Sequence, residues 1–226
     1  MPAVSECQRD VTSGGRGTGG GPRGPLLSSG MKAWLLTLTT GIALAACGTG
    51  RGRDGGTVPS WDGGPCPAGV VGEFPDASFN HVALGTIVDY GSNPPAGGDH
   101  YPYWAIWGIH SDAVPPEYFV HNEEHGGVVL LYNCPGDGGC PDIVATLTQI
   151  MNDQPVDPLC TEQGTGVPNR MLMTPDPDIP GPVAAASWGW TYNEPSPCVD
   201  VAGLEAFIAA HYGQGREPLC GQGFFQ

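Results

Sequence analysis

Apolar positions between residues 61 and 226 recur at two spacings, one for strands and one for helices. Val82, Leu84, Thr86 and Val88 alternate with Ala83, Gly85 and Ile87, which predicts a half-buried strand over His81–Tyr90. A second strand is expected over Tyr103–His110, after a loop rich in Gly, Pro, Asn and Asp from Gly91 to Asp99. Ser111 or Asp112 caps a helix that Pro115-Pro116 starts, that runs through Glu117–His125, and that Gly126-Gly127 stops. Val128–Tyr132 is apolar throughout and β-branched at its start, the mark of a buried central strand. Ile143, Leu147, Ile150 and Met151 stand at helical spacing within Pro141–Asn152. Two further strands, Arg170–Thr174 and Val183–Tyr192, are joined by the proline-rich turn at 175–182. Asp200 caps a last helix carrying Val201, Leu204, Phe207 and Ile208 and ending near His211. Strands and helices interleave without a regular crossover. The expected fold is α+β, a single mostly antiparallel sheet with helices packed on it and braced by disulfides.

Upstream of this domain the pattern changes. An apolar run follows Met31 and Lys32 and closes on Leu44-Ala45-Ala46-Cys47, which resembles a lipoprotein signal with its lipobox. The run is roughly a dozen residues, against about 20 for a membrane span. Residues 1–30 then form an upstream extension whose Gly, Arg, Ser and Pro leave it disordered. Residues 31–46 are the signal peptide, 47–60 a flexible linker from a lipidated Cys47, and 61–226 one α+β domain. The expected location is the cell envelope, lipid-anchored to a membrane and exposed to the periplasm or the exterior.

Charge narrows the function. The chain carries a formal net charge of −15, and after residue 60 its basic residues are Arg170 and Arg216, against twenty Asp and Glu. Such a surface repels phosphates, so nucleic acid is excluded as a partner. The absence of lysine from this stretch removes Schiff-base and P-loop chemistry. A negative field draws cations and basic partners, and equally serves solubility; no protein partner can be named. Cys66, Cys134, Cys140, Cys160, Cys198 and Cys220 form an even set in an exported chain, which reads as three disulfides. The turn residues between Cys134 and Cys140 favour a local bridge there.

Histidine carries the candidate chemistry, since five of the six fall between His81 and His125. In His121-Asn-Glu-Glu-His125 the two imidazoles stand four apart on one helix face, with Glu124 three residues after His121. The spacing fits H-x-x-E-H, in which glutamate deprotonates a metal-bound water. His100, in a loop before a strand, is the preferred third ligand, with His81 or His110 as a fourth. Such imidazoles suit copper or zinc. Met171 and Met173 share a strand face and offer sulfur to copper or, more simply, fill the core. A purely structural reading places His125 at the helix C-terminus beside Glu123 or Glu124, and His121 in the core. Ser187 lacks the glycine-flanked elbow of a hydrolase nucleophile.

Asn93-Pro-Pro-Ala-Gly-Gly-Asp-His-Tyr-Pro102, Trp104-Ala-Ile-Trp-Gly108, and Pro116 through His125-Gly-Gly-Val128 with Tyr132 resemble the domain of unknown function 3105 family, as do Thr174-Pro175, Ala186–Gly189, Phe207-Ile208 and the 213–218 segment. The resemblance implies an exported or membrane-tethered protein and supplies no activity. Its pattern concentrates on His100, His121, Glu124, His125 and Gly126. Glu123 departs from it, standing where the family carries leucine and adding a second carboxylate beside the ligands. Three functional readings follow. The first is a lipid-anchored extracytoplasmic domain binding copper or zinc through His100, His121 and His125. The second is a metal-dependent enzyme, a hydrolase with Glu124 as catalytic base or a copper oxidoreductase. The third is a non-catalytic envelope interaction module.

Overall fold

A computed structural model describes residues 66–75, 78–134 and 139–224. The expected upstream extension over residues 1–30, the expected signal peptide, Cys47 and the expected 47–60 linker lie outside the described residues. Six strands form one sheet in the order β1-β6-β5-β3-β4-β2. At its centre β3 (Val128–Tyr132) runs parallel to β4 (Met171–Pro175), and β4 runs parallel to the short edge strand β2 (Gly108–Ile109). On the other side β5 (Val183–Ser187) pairs antiparallel with β3, then β6 (Trp190–Asn193) with β5, and β1 (Val70–Glu73) with β6. The sheet is therefore mixed, where mostly antiparallel pairing was expected. The cause is the β3–β4 connection. It holds two helices, α2 (Pro141–Asn152) and α3 (Pro158–Glu162), and so is long enough to return the chain in the same direction.

Both faces of the sheet are covered. Val128, Leu130, Met171 and Met173 alternate onto one face with Ile143 and Leu147 of α2 and with Leu204 and Phe207 of α4 (Val201–His211). Val129, Leu131 and Leu172 alternate onto the other, against Phe119 and Val120 of α1 (Pro116–Glu124) and beside Trp107 and Trp188. Each such side chain removed from water contributes about 1.5–3 kcal/mol. Met171 and Met173 thus belong to the core on the face opposite α1.

Three expected elements differ. The segment after His81 is not a strand; one parallel bridge, His81 to His100, replaces it, and Leu84 and Ile87 are exposed. Side chains take its backbone groups, since the Gly85 N–H donates to the Tyr101 hydroxyl (3.0 Å) and the Val88 N–H to Glu117 Oε1 (3.1 Å). Of the expected Tyr103–His110 strand only Gly108–Ile109 forms a strand, with Ala105 upstream of it in a single bridge. The Asn122 amide engages both the N–H and the C=O of Ala105, each at 2.9 Å. Val183–Tyr192 folds back as the β5–β6 hairpin because Gly189 adopts a φ of 80°, a conformation glycine reaches without strain. Strand β1 and helix α3 were not anticipated.

Disulfides join Cys66 to Cys198, Cys134 to Cys140, and Cys160 to Cys220. The second is the local bridge that the turn residues favoured. Among the described residues no helix is long and apolar enough to cross a membrane.

Candidate metal centre

Helix α1 opens on Pro116 at its first turn, where a missing N–H costs nothing. It closes through backbone bonds from Gly126 N–H to the Glu123 carbonyl (2.8 Å) and from Gly127 N–H to the Asn122 carbonyl (2.9 Å). Gly126 has a φ of 81°, completing a Schellman ending. Although its residues are mostly polar, the helix is enclosed: Glu117, His121, Asn122, Glu123 and Glu124 are all buried. Charged groups are rarely buried unless they are paired or bind a cation.

His121 and Glu124 project from one face of α1, one turn apart. His81 and His100 are set beside each other by their bridge, in which His100 N–H donates to the Asn80 carbonyl (3.1 Å) and Val82 N–H to the His100 carbonyl (2.8 Å). Asp99 holds that register by accepting from the Asn80 N–H (2.8 Å) and its amide (3.1 Å). One nitrogen each from His81, His100 and His121 and one carboxylate oxygen of Glu124 thereby lie within 4.8 Å of one another. Glu124 Oε2 is 3.0 Å from His100 Nε2 and 4.0 Å from His81 Nε2. A tetrahedral ion with bonds of about 2.0–2.1 Å sets its ligands about 3.3 Å apart, so no pair has to close by more than about 1.5 Å.

Hydrogen bonds fix which nitrogen is available. His100 Nδ1 lies 2.8 Å from the Gly98 carbonyl, and His121 Nδ1 lies 2.7 Å from the Tyr101 carbonyl. A carbonyl can only accept, so in each ring Nδ1 carries the proton and the neutral imidazole presents its lone pair at Nε2. In His100 that lone pair faces a carboxylate oxygen at 3.0 Å. Two acceptors at this distance require a cation between them, either a proton or a metal ion. Burial, reinforced by the neighbouring His125 and His100, lowers the His121 pKa to about 3, so its ring is neutral and available at ordinary pH. Burial would raise the Glu124 carboxyl, but hydrogen bonding to and attraction by His100 outweigh it, and its pKa is lowered. Trp104 packs on His121 with centroids 5.0 Å apart, and Trp188 meets His100 edge-on at 6.0 Å, walling the group with apolar surface.

The structure thus gathers His81, His100, His121 and Glu124. His125 stands next to them, its ring 4.6 Å from that of His121 and 4.7 Å from that of Trp104. Its Nδ1 donates to the Glu217 carbonyl (3.3 Å), while Nε2 is buried without a partner. Burial lowers its pKa. His110 lies outside the group, with Nε2 donating to the Ile106 carbonyl at 2.7 Å. Of the two adjacent carboxylates, Glu124 faces the histidines. Glu123 is fully buried, and burial outweighs a weak backbone hydrogen bond from Gly97 to raise its pKa well above the ordinary value. Asn122, Trp104 and the 213–217 strap carried no sequence signal for this centre, because their roles depend on contacts between distant segments. The strap fastens the end of α1 through Gly213 N–H to the Gly126 carbonyl (2.8 Å) and Glu217 N–H to the Glu124 carbonyl (2.9 Å).

A sequence profile described as "Protein of unknown function (DUF3105)" matches residues 81–222, a stretch that begins at His81 and takes in the whole group and the strap. No curated protein and no solved structure matches the chain.

Proposed function

The chain belongs to the DUF3105 family of proteins of unknown function, and from that premise we propose that its domain binds one divalent transition-metal ion through His81, His100, His121 and Glu124. The convergence of these four groups carries the reading, together with the backbone carbonyls that lock two of the imidazoles with Nε2 turned inward. Three imidazoles and one carboxylate are borderline nitrogen and oxygen donors, which suit zinc(II) or copper(II). With Met171 and Met173 in the core, nothing soft favours copper(I). Protein purified without a histidine tag and offered zinc or copper takes up one equivalent, measured by elemental analysis after dialysis. His121→Ala abolishes this uptake, and substoichiometric metal in the wild type would refute the reading.

A second arrangement uses the same residues. The three histidines hold the ion and Glu124 stands beside it as a base for a hydrolytic reaction. Glu124→Gln separates the two: it weakens metal binding if Glu124 is a ligand, and it leaves uptake intact if Glu124 is a base.

We further propose that the domain works outside the cytoplasm on a lipid attached to Cys47. Three disulfides support an oxidising compartment. Cys47→Ser releases the protein from the membrane fraction on this account; unchanged membrane retention would oppose it.

A further inference from the structure

Three imidazoles in and beside the centre are held alike. In His100 and His121 a backbone carbonyl takes the Nδ1 proton and leaves Nε2 as the free donor, and in His125 the Glu217 carbonyl does the same at 3.3 Å. The four-donor group uses the first two and leaves His125 out. Its Nε2 is therefore a buried lone pair without a hydrogen-bond partner, in a residue 2% exposed, where bulk water does not satisfy it. A polar atom left so in the interior costs stability and calls for an ion or a role.

Position ties that atom to the centre. His125 follows His121 by four residues at the end of α1, and their ring centroids are 4.6 Å apart. The gathered rings stand no closer to one another: His100 to His121 is 4.7 Å, His81 to His121 is 4.9 Å, and His81 to His100 is 5.1 Å. Trp104 packs on both His121 and His125, at 5.0 Å and 4.7 Å. The main chain at His125 is fixed, since its N–H donates to the His121 carbonyl (3.2 Å) and its carbonyl accepts from the Arg170 guanidinium. The ring adjusts only through its own side-chain torsions.

The number of donors then bears on the choice of ion. His81, His100, His121 and Glu124 already fill a tetrahedral zinc(II) shell, which has no need of a fifth. Copper(II) favours tetragonal sets of nitrogen and oxygen donors, with room for ligands beyond four, and binds such donors more tightly than zinc(II).

We propose that His125 Nε2 is a fifth donor, engaged by copper(II) and idle with zinc(II), which makes His125 the residue that favours copper(II) in this centre. The inference rests on the metal-binding reading and deepens it by naming the ion.

The test titrates copper(II) and zinc(II) separately into the tag-free protein against a chelating competitor, for the wild type and for His125→Asn. Asparagine keeps an N–H near the position of Nδ1 for the Glu217 carbonyl and removes Nε2. Loss of an outer partner of a ligand alone costs about 10- to 100-fold in metal affinity, so loss of a direct donor is expected to weaken copper(II) about 100-fold. Zinc(II) affinity stays at the wild-type value, and the electron paramagnetic resonance spectrum of the copper(II) form changes. Equal loss of both metals, which a purely structural role for His125 gives, or unchanged affinity for both, overturns the inference while leaving metal binding in place; so does a wild type that takes up zinc(II) and not copper(II). X-ray absorption at the copper edge of the wild type needs no folded variant: scattering from four imidazoles is expected, and three would overturn the inference. A wild type that takes up neither ion overturns both readings.

Discussion

Asn122 offers a sharp test of how the centre is built. Its Oδ1 accepts from the Ala105 N–H and its Nδ2 donates to the Ala105 carbonyl, each at 2.9 Å, with both residues fully buried. Asn122→Ala leaves that N–H and C=O together without partners in the interior. An unsatisfied buried polar group costs about 1–3 kcal/mol, so the pair costs about 2–6 kcal/mol. That is a large share of a domain's total stability of about 5–15 kcal/mol. Asn122→Asp keeps an acceptor for the N–H but turns a carboxylate oxygen toward the carbonyl, and is expected to be no better. The assay is equilibrium urea unfolding followed by tryptophan fluorescence with the disulfides intact. The clamp also holds the segment carrying Trp104, which packs on His121 and His125, so metal affinity falls in whatever fraction of the variant folds. A loss below about 0.5 kcal/mol, the scale of an ordinary surface substitution, would show that Ala105 finds other partners and would refute the reasoning.

Other consequences are equally specific. His81 is half exposed and sits on a loop, whereas His121 is buried and locked by Tyr101. His81→Ala is therefore expected to weaken zinc binding while His121→Ala eliminates it by isothermal titration; equal losses would count against a graded site. Asp157→Asn breaks a buried ion pair and should lower stability by about 3–5 kcal/mol in urea unfolding, with a neutral result contradicting the assignment. Burial pushes the Asp157 carboxyl up, but hydrogen bonds from Tyr212, Arg170 and the Leu159 N–H outweigh it and hold it below the usual value. The folded state then binds fewer protons than the unfolded chain in acid. This stabilisation is full above about pH 4 and is lost as the pH falls through the lowered value, a component that Asp157→Asn should remove from the acid unfolding curve. The Cys66–Cys198 and Cys134–Cys140 bridges span sequence separations of 132 and 6 residues. Chain entropy predicts losses of about 5 and about 2 kcal/mol for replacing each pair by serine; the reverse ranking in thermal unfolding would contradict that model.

Legibility in the sequence followed the range of the interactions. Val128–Tyr132 and Pro141–Asn152 were readable because apolar spacing along one segment decides whether it is buried. The helix over 117–125 was readable from its proline start and glycine stop, which are local backbone signals. The alternation after His81 misled because Leu84 and Ile87 face solvent while Tyr101 and Glu117 satisfy the backbone. The parallel β3–β4 pairing depends on which edge the chain returns to after two helices, and no residue pattern specifies that. In the candidate site, helical spacing placed His121 and Glu124 on one face, and the loop position of His100 pointed the same way. Spacing also set His125 beside His121 as a ligand and left His81 or His110 as a possible fourth. The nitrogens that converge with Glu124 are those of His81, His100 and His121, because the His81–His100 bridge brings His81 in while the Ile106 carbonyl engages His110.

X-ray absorption at the zinc edge of the tag-free, zinc-loaded domain measures the proposed coordination itself. Convergence of His81, His100, His121 and Glu124 predicts a shell of four nitrogen and oxygen neighbours at about 2.0–2.1 Å, multiple scattering from three imidazoles and no sulfur. A six-coordinate oxygen shell without imidazole scattering would contradict it and leave the histidines as internal packing.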